Sequence, residues 1–268
     1  MFENKVKQLL AAGQAAWGAG LPDASEFETQ HTLNTEIDFL WIDLEHRPYD
    51  VEKVRWIPIL CRRKSCVPMI RVAGLDSTLI KKALDIGASA IMVPQINSAK
   101  EAELAVQYSK YPPEGTRGIS PFWTIFEDIS WDDYLPEANQ ETLVVVQIES
   151  VEGIRNLESI AAVPGVDVVF AGPMDTSAAM GHIGNIKHPE VQKFLAEFPS
   201  RVAPYGKASG ITFPFIEDCK KSYEQGYRFI CCGNLLTSGG QAFSAQLNAL
   251  RTLEKSLRED DSPSPIIV

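Results

Sequence analysis

The sequence predicts an α/β protein built as a single-domain (β/α)8 TIM barrel, and three observations carry that reading. Eight short apolar runs recur along the chain, most without polar alternation, as strands buried on both faces of a parallel sheet require. Segments of helical spacing separate them. The 268 residues, 45% of them hydrophobic, suit one barrel and one large core with little to spare. A barrel domain over 1–257 and an acidic, proline-containing tail over 258–268 are expected, with no boundary inside the barrel.

In order, Asn4 to Ala12 reads as a leading helix, Ala15 to Ala19 as a first strand and Glu26 to Asn34 as a polar helix. Asp38 to Asp43 is a second strand running into Leu44-Glu45-His46-Arg47-Pro48, and Val51 to Arg62 is helical by pattern. Val67 to Arg71 forms the third strand, with Pro68 near its start, where a missing N–H is tolerable. Ser77 to Ile86 is a helix that Gly87 ends; Ala90 to Val93 is the fourth strand and Ala99 to Ser109 the next helix. A long aromatic-rich loop from Gly115 to Ser130 follows, and loops beyond about 12–15 residues in compact domains are usually functional or disordered.

Strands five and six, Val144 to Glu149 and Val168 to Asp175, are valine-rich runs that each end on a carboxylate. Between them Ser150 caps a helix marked by Ile154, Leu157, Ile160 and Ala161 until Pro164-Gly165 stops it. After the Met180-Gly181-His182 loop come a helix from His188, a seventh strand at Ala208 to Thr212 and a helix through Cys219 to Gln225. Tyr227 to Cys231 is the eighth strand, and Gln241 to Leu257 a long final helix.

The polar ends of strands five and six fall where parallel α/β folds place their sites. Glu149 and Asp175, converging from neighbouring strands, repel unless a cation or a proton sits between them, and all-oxygen ligation points to Mg²⁺ or Mn²⁺. Either carboxylate alone would serve equally as a helix cap or an arginine partner. His46 and Arg71, at the ends of strands two and three, lie on the same face. A metal, a proton carrier and a fixed cation suit enolate chemistry on a 2-oxo acid. A Schiff-base route needs a lysine inside the barrel; no predicted strand contains one, and Lys207 precedes strand seven, at the wrong end.

The formal charge of −10 and pI near 5.0 speak against nucleic acid or an anionic membrane surface as partner. No stretch resembles a signal peptide or approaches the ~20 apolar residues of a membrane span, so a cytoplasmic location is expected. Cys61, Cys66, Cys219, Cys231 and Cys232 lack a zinc spacing and read as buried thiols in a reducing compartment.

Four segments together, Ile42-Asp43-Leu44-Glu45-His46-Arg47-Pro48, Tyr111-Pro112-Pro113-Glu114-Gly115-Thr116-Arg117-Gly118, Gln147-Ile148-Glu149 and Gly172-Pro173-Met174-Asp175, resemble the HpcH/HpaI aldolase family. These are class II pyruvate aldolases, such as 4-hydroxy-2-oxoheptanedioate aldolase and 2-dehydro-3-deoxyglucarate aldolase. The resemblance implies a hexameric barrel that reversibly cleaves a 4-hydroxy-2-oxo acid to pyruvate and an aldehyde. Glu149 and Asp175 would hold the divalent metal (Mg²⁺, Mn²⁺ or Co²⁺), His46 would be the general acid/base and Arg71 the enolate stabiliser. Gln147 and the backbone at Met174 and Asp175 would hold the pyruvoyl part, and Asp85 would raise the basicity of His46. Asp85 is predicted at a helix end on the opposite side of the barrel, so that role requires another subunit or a different boundary.

The chain departs from the family pattern at Asp175-Thr176-Ser177, where the family has Asp-Leu-Ser. It departs again over Pro121 to Trp131, where aromatic and acidic residues replace small and basic ones. If that loop frames the aldehyde, a dianionic substrate is disfavoured. The alternatives are an oxaloacetate decarboxylase or macrophomate-synthase-like enzyme using the same enolate, and a barrel without turnover that binds a metabolite.

Overall fold

Eight parallel strands close on themselves in sequence order: β1 (Ala16–Gly20), β2 (Phe39–Asp43), β3 (Val67–Arg71), β4 (Ala90–Val93), β5 (Leu143–Ile148), β6 (Val168–Ala171), β7 (Ala208–Thr212) and β8 (Phe229–Cys231). The structure is a computed structural model that describes residues 3–260, with side chains through Arg258. The predicted (β/α)8 barrel is thus the observed one.

Side chains alternate across each strand, so one parity fills the barrel and the other faces the helices. Phe39, Trp41, Met69, Met92, Val145, Phe170 and Phe229 form the inner plug. Leu40, Ile42, Ile70, Ile91, Val146 and Ile230 pack outward under the helices. Carrying the inner parity to the strand ends puts Asp43, Arg71, Gln147 and Glu149 above the plug, at the carboxyl-terminal mouth.

The plug is wide because it is aromatic. Phe39 and Phe229 stack at 4.0 Å, and Trp41 meets Phe170 edge-on at 5.5 Å. Two glycines make room for these rings: a Cβ on Gly18 would lie 2.2 Å from the Phe39 ring, and one on Gly210 would lie 2.4 Å from Phe170.

The helices differ from expectation at specific places. The segment expected as one helix over Val51 to Arg62 is two, Val51–Val54 and Ile57–Arg63, because Pro58 opens a new first turn. The helix after β5 likewise breaks at Asn156 into Val151–Arg155 and Leu157–Ala161. Helices Trp131–Glu141, with Pro136 inside it, and Pro173–Ala179 were hidden from the pattern by their prolines and short length.

The aromatic loop does not frame the mouth of its own barrel. It contains a 3-10 turn, Phe122–Glu127, whose Trp123 is buried under the Arg62 guanidinium, 3.9 Å from the ring centroid, while Glu127 pairs with Arg63 at 2.9 Å. Both arginines end the helix that feeds the start of β3, so the loop packs at the amino-terminal end. Buried aromatic area and paired charge hold it there.

The last helix, Leu235–Asp260, extends past both expected ends, so residues 258–260 belong to it; the remainder of the expected tail lies outside the described residues. It makes little contact with the barrel. Leu236, Phe243, Leu250, Leu253 and Leu257 are each more than half exposed.

Gly18→Ala should destabilise the fold by about 1–3 kcal/mol, the cost of overpacking a filled core. Urea unfolding reads this as a lower midpoint at unchanged slope; an unshifted midpoint would mean that the Phe39 ring can move aside.

Candidate active site

Arg71 is the centre of the mouth. It sits opposite Asp43 in the β2–β3 register, and its Nε and Nη2 donate to Asp43 Oδ1 and Oδ2 at 2.9 and 2.7 Å. The guanidinium lies 4.7 Å over the Trp41 ring, and Nη1 reaches Gln147 Oε1 at 3.4 Å. Burial pushes the Asp43 carboxyl up, but the hydrogen bonds and charge of Arg71 reverse this, leaving it below its ordinary value.

Gln147 links this cation to Glu149. Its Nε2 donates to Glu149 Oε2 at 2.5 Å, so its two ends face opposite charges. Glu149 Oε1 accepts the Gln95 amide at 3.0 Å, from a residue held at φ +54°. Gly172 clears the space: a Cβ there would come within 2.7 Å of Glu149 Oε2. The helix Pro173–Ala179 starts beside it with no side-chain cap, which leaves the first-turn amides of Met174 and Asp175 for another acceptor.

Carboxylates outnumber cations here. Burial first, then the charges of Glu45 and Asp175, push the Glu149 carboxyl up to about 7. Glu45 is itself raised by burial, incompletely offset by Arg71. Its Oε2 lies 3.0 Å from Arg71 Nη1 yet lacks the alignment of a hydrogen bond. A buried carboxylate oxygen without a donor, beside two further carboxylates, is what an oxygen-ligated divalent cation would satisfy. The residues therefore fit Mg²⁺ or Mn²⁺.

The predicted residues divide into two groups. Arg71, Gln147, Glu149 and Asp175 converge, and His46 stands at the exposed rim, its Nε2 3.6 Å from Glu45 Oε2. Asp85 does not join them: it ends helix Ser77–Asp85 and pairs with Arg117 at 2.9 Å. Sequence reasoning gave no role to Asp43, Glu45, Gln95 or Gly172. The inward parity of Phe39, Trp41 and Asp43 was the available signal for the first.

A cavity of about 180 Å³ opens beside this centre, lined by Trp41, Asp43, Arg47, Arg71, Thr212 and Asn234 among others. Larger cavities lie elsewhere, one of about 540 Å³ outside the barrel near Tyr49 and Asp85. None of the eight strands carries a lysine. All five cysteines are free thiols, four of them buried. No helix among the described residues is long and apolar enough to cross a membrane.

A site that offers oxygen ligands to a cation, with a buried arginine alongside and no lysine on any of the eight strands, is suited to lowering the energy of an enolate by charge. That chemistry on a parallel barrel defines the class II pyruvate aldolases, which are carbon–carbon lyases. Comparison with known proteins agrees: residues 21–238 match the model of the HpcH/HpaI aldolase/citrate lyase family, and the chain belongs to that family. It is 37% identical over 238 residues to 5-keto-4-deoxy-D-glucarate aldolase of Escherichia coli (strain K12), covering 87% of this chain and 91% of the relative. Among solved structures, an HpcH/HpaI aldolase/citrate lyase family protein from Burkholderia cenocepacia J2315 superposes with TM-score 0.84 at 31% identity, covering 92% of this chain and 99% of that one. The HpcH/HpaI aldolase from Desulfitobacterium hafniense DCB-2 gives 0.81 at 26% identity, covering 96% and 97%.

The raised Glu149 carboxyl has a signed consequence. Folding favours its protonated form, so ionising it between its ordinary 4.5 and about 7 costs stability as pH rises, and a divalent cation held by Glu149 would compete with that proton. The rise in melting temperature on adding Mg²⁺ should therefore be larger at about pH 8 than at about pH 6. Thermal unfolding at both pH values checks this, and Glu149→Gln should remove the difference. An equal rise at both would separate the metal from Glu149.

Proposed function

We propose that the chain cleaves a 4-hydroxy-2-oxo acid to pyruvate and an aldehyde, reversibly, at the mouth built on Arg71 and Glu149. The observation that carries this is the Gln147 bridge, which fixes a buried cation and a buried carboxylate toward one point. When bound by Glu149 and Asp175, a divalent cation (Mg²⁺, Mn²⁺ or Co²⁺) would polarise the 2-oxo carbonyl. The first-turn amides of Met174 and Asp175, with Gln147, orient the pyruvoyl carboxylate.

In the cleavage direction His46 takes the proton of the 4-hydroxyl and the C3–C4 bond breaks. The aldehyde leaves, and the electron pair enters the C2–C3 enolate. Arg71, whose Nη2 keeps one N–H beyond its bond to Asp43, stabilises the enolate oxygen. Protonation at C3 then yields pyruvate. Five unpaired thiols support a reducing, cytoplasm-like compartment.

Assembly belongs to the same reading. The Leu235–Asp260 helix exposes Leu236, Phe243, Leu250 and Leu257 at seven-residue intervals, one continuous apolar stripe, while Trp17 on β1 is exposed beside Tyr223 at 5.6 Å. The helix that follows β8 in a barrel ordinarily covers this β8–β1 side. A second copy of the chain, offering the identical helix, is the occupant we propose, within a homo-oligomer that the family resemblance makes a hexamer. Asp85 can then act on His46 only from a neighbouring copy, since in its own chain it pairs with Arg117.

Two measurements test the chemistry. Excess EDTA should abolish cleavage, and borohydride with pyruvate should trap no lysine adduct; activity in EDTA or a trapped adduct would overturn the reading. Arg71→Ala should lower kcat by on the order of 10²–10³-fold and slow exchange of the pyruvate methyl protons. Because that change also strands Asp43 and Glu45, at a cost of about 3–5 kcal/mol, Arg71→Lys is the companion variant, and it should recover only part of the rate. A rise in KM alone, with exchange unaltered, would reduce Arg71 to a carboxylate anchor.

For assembly, a chain ending at Asn234 should elute as a smaller species than the intact protein in light-scattering chromatography. An intact protein that is already monomeric would refute the second-copy reading.

A further inference from the structure

Away from the mouth, one group of side chains among the described residues has the composition of a metal site: His182, His188 and Glu190, whose ligand atoms lie within 4.8 Å of one another. The backbone assembles them. The His182 amide donates to the Ser177 carbonyl at 2.7 Å, Gly181 turns the chain at φ +84°, and the Asn185 and His188 amides close the turn at 2.8 and 3.0 Å. The two imidazoles stack with centroids 3.4 Å apart. His182 Nε2 is 2.8 Å from Glu190 Oε2, and His188 Nδ1 accepts the Glu190 amide at 3.3 Å.

We propose that His182, His188 and Glu190 form a second cation site, selective for a borderline transition ion of the zinc class, with water completing the shell. Donor chemistry separates it from the mouth. Imidazole suits Zn²⁺, Ni²⁺ or Cu²⁺, whereas Mg²⁺ takes oxygen ligands and keeps several waters. An ion sits about 2.0–2.2 Å from nitrogen and oxygen donors, so the His182–Glu190 contact opens by well under ~1 Å to admit one. The parallel rings must rotate to aim at a common point, and χ2 of histidine is a broad torsion that allows this. The hydrogen bonds given up are the His182–Glu190 contact, replaced by two bonds to the ion, and the long one from the Glu190 amide to His188 Nδ1.

Position supplies the consequence. The turn joins helix Pro173–Ala179, which carries Asp175, to helix Pro189–Val202. An ion held by His182 on one side and by His188 and Glu190 on the other clamps the two helices together, independently of whether the mouth performs aldol chemistry.

The test uses the full chain with the mouth disabled by Glu149→Gln and Asp175→Asn. Equilibrium dialysis against ZnCl₂, read by elemental analysis, should retain one zinc per chain that Mg²⁺ in excess does not displace. Adding His182→Asn, or His188→Asn, which keeps a good helix N-cap, should lose that zinc while circular dichroism is unchanged. With Cu²⁺ in place of zinc, electron paramagnetic resonance should show coupling to two nitrogens, falling to one in either variant. Zinc retained equally after both histidine changes, displaced by Mg²⁺, or absent from the mouth-disabled chain would each overturn the proposal.

Discussion

One arginine balances the mouth of this barrel. Arg71 faces Asp43, Glu45 and Glu149, and only Asp43 is fully satisfied by it, through two hydrogen bonds of 2.9 and 2.7 Å. Burial first, and then the surplus negative charge of Glu45 and Asp175, makes Glu149 hold its proton toward neutral pH. Under the proposed function a divalent cation would relieve what Arg71 cannot, and both the affinity for metal and the stabilisation of an enolate would descend from that imbalance.

The layer beneath the site is densely filled. Phe39, Phe170 and Phe229 fill the barrel to its walls, with Gly18 and Gly210 trimmed to admit them, and Trp41 forms the floor on which the Arg71 guanidinium lies. A guanidinium supported on an aromatic face and clamped by a bidentate carboxylate keeps its fork in one orientation. Positioning of this kind lets a charge act on a transition state without first reorganising.

Outside the barrel the economy is different. The Leu235–Asp260 helix exposes an apolar stripe, a poor neighbour for water, and the proposed second copy would cover it. Asp85, half-buried beside Arg117 and far along its helix from the mouth, has the same character: its proposed role is complete only between chains. The His182–His188–Glu190 turn, by contrast, is self-contained within one chain.

Strand positions and the face that carries the candidate site were legible in the sequence because parallel strands buried on both sides leave continuous apolar runs, and β3, β4 and β7 fall where those runs predict. Arg71 and Glu149 were legible as candidates because each closes such a run, whereas Asp175, expected at the end of the sixth strand, lies in the first turn of helix Pro173–Ala179. What the linear pattern could not supply was pairing across the sheet: that Asp43 faces Arg71 follows from register, and that Glu45 is buried yet unsatisfied follows from how the β2 loop packs. Nor could it tell that the aromatic loop goes to the opposite end, since the choice was made by Arg62 and Arg63, residues about sixty positions away in the chain. Periodicity records which face a residue shows to the core, a local property. Which charges meet there depends on closure of the barrel, and only the tertiary structure decides that.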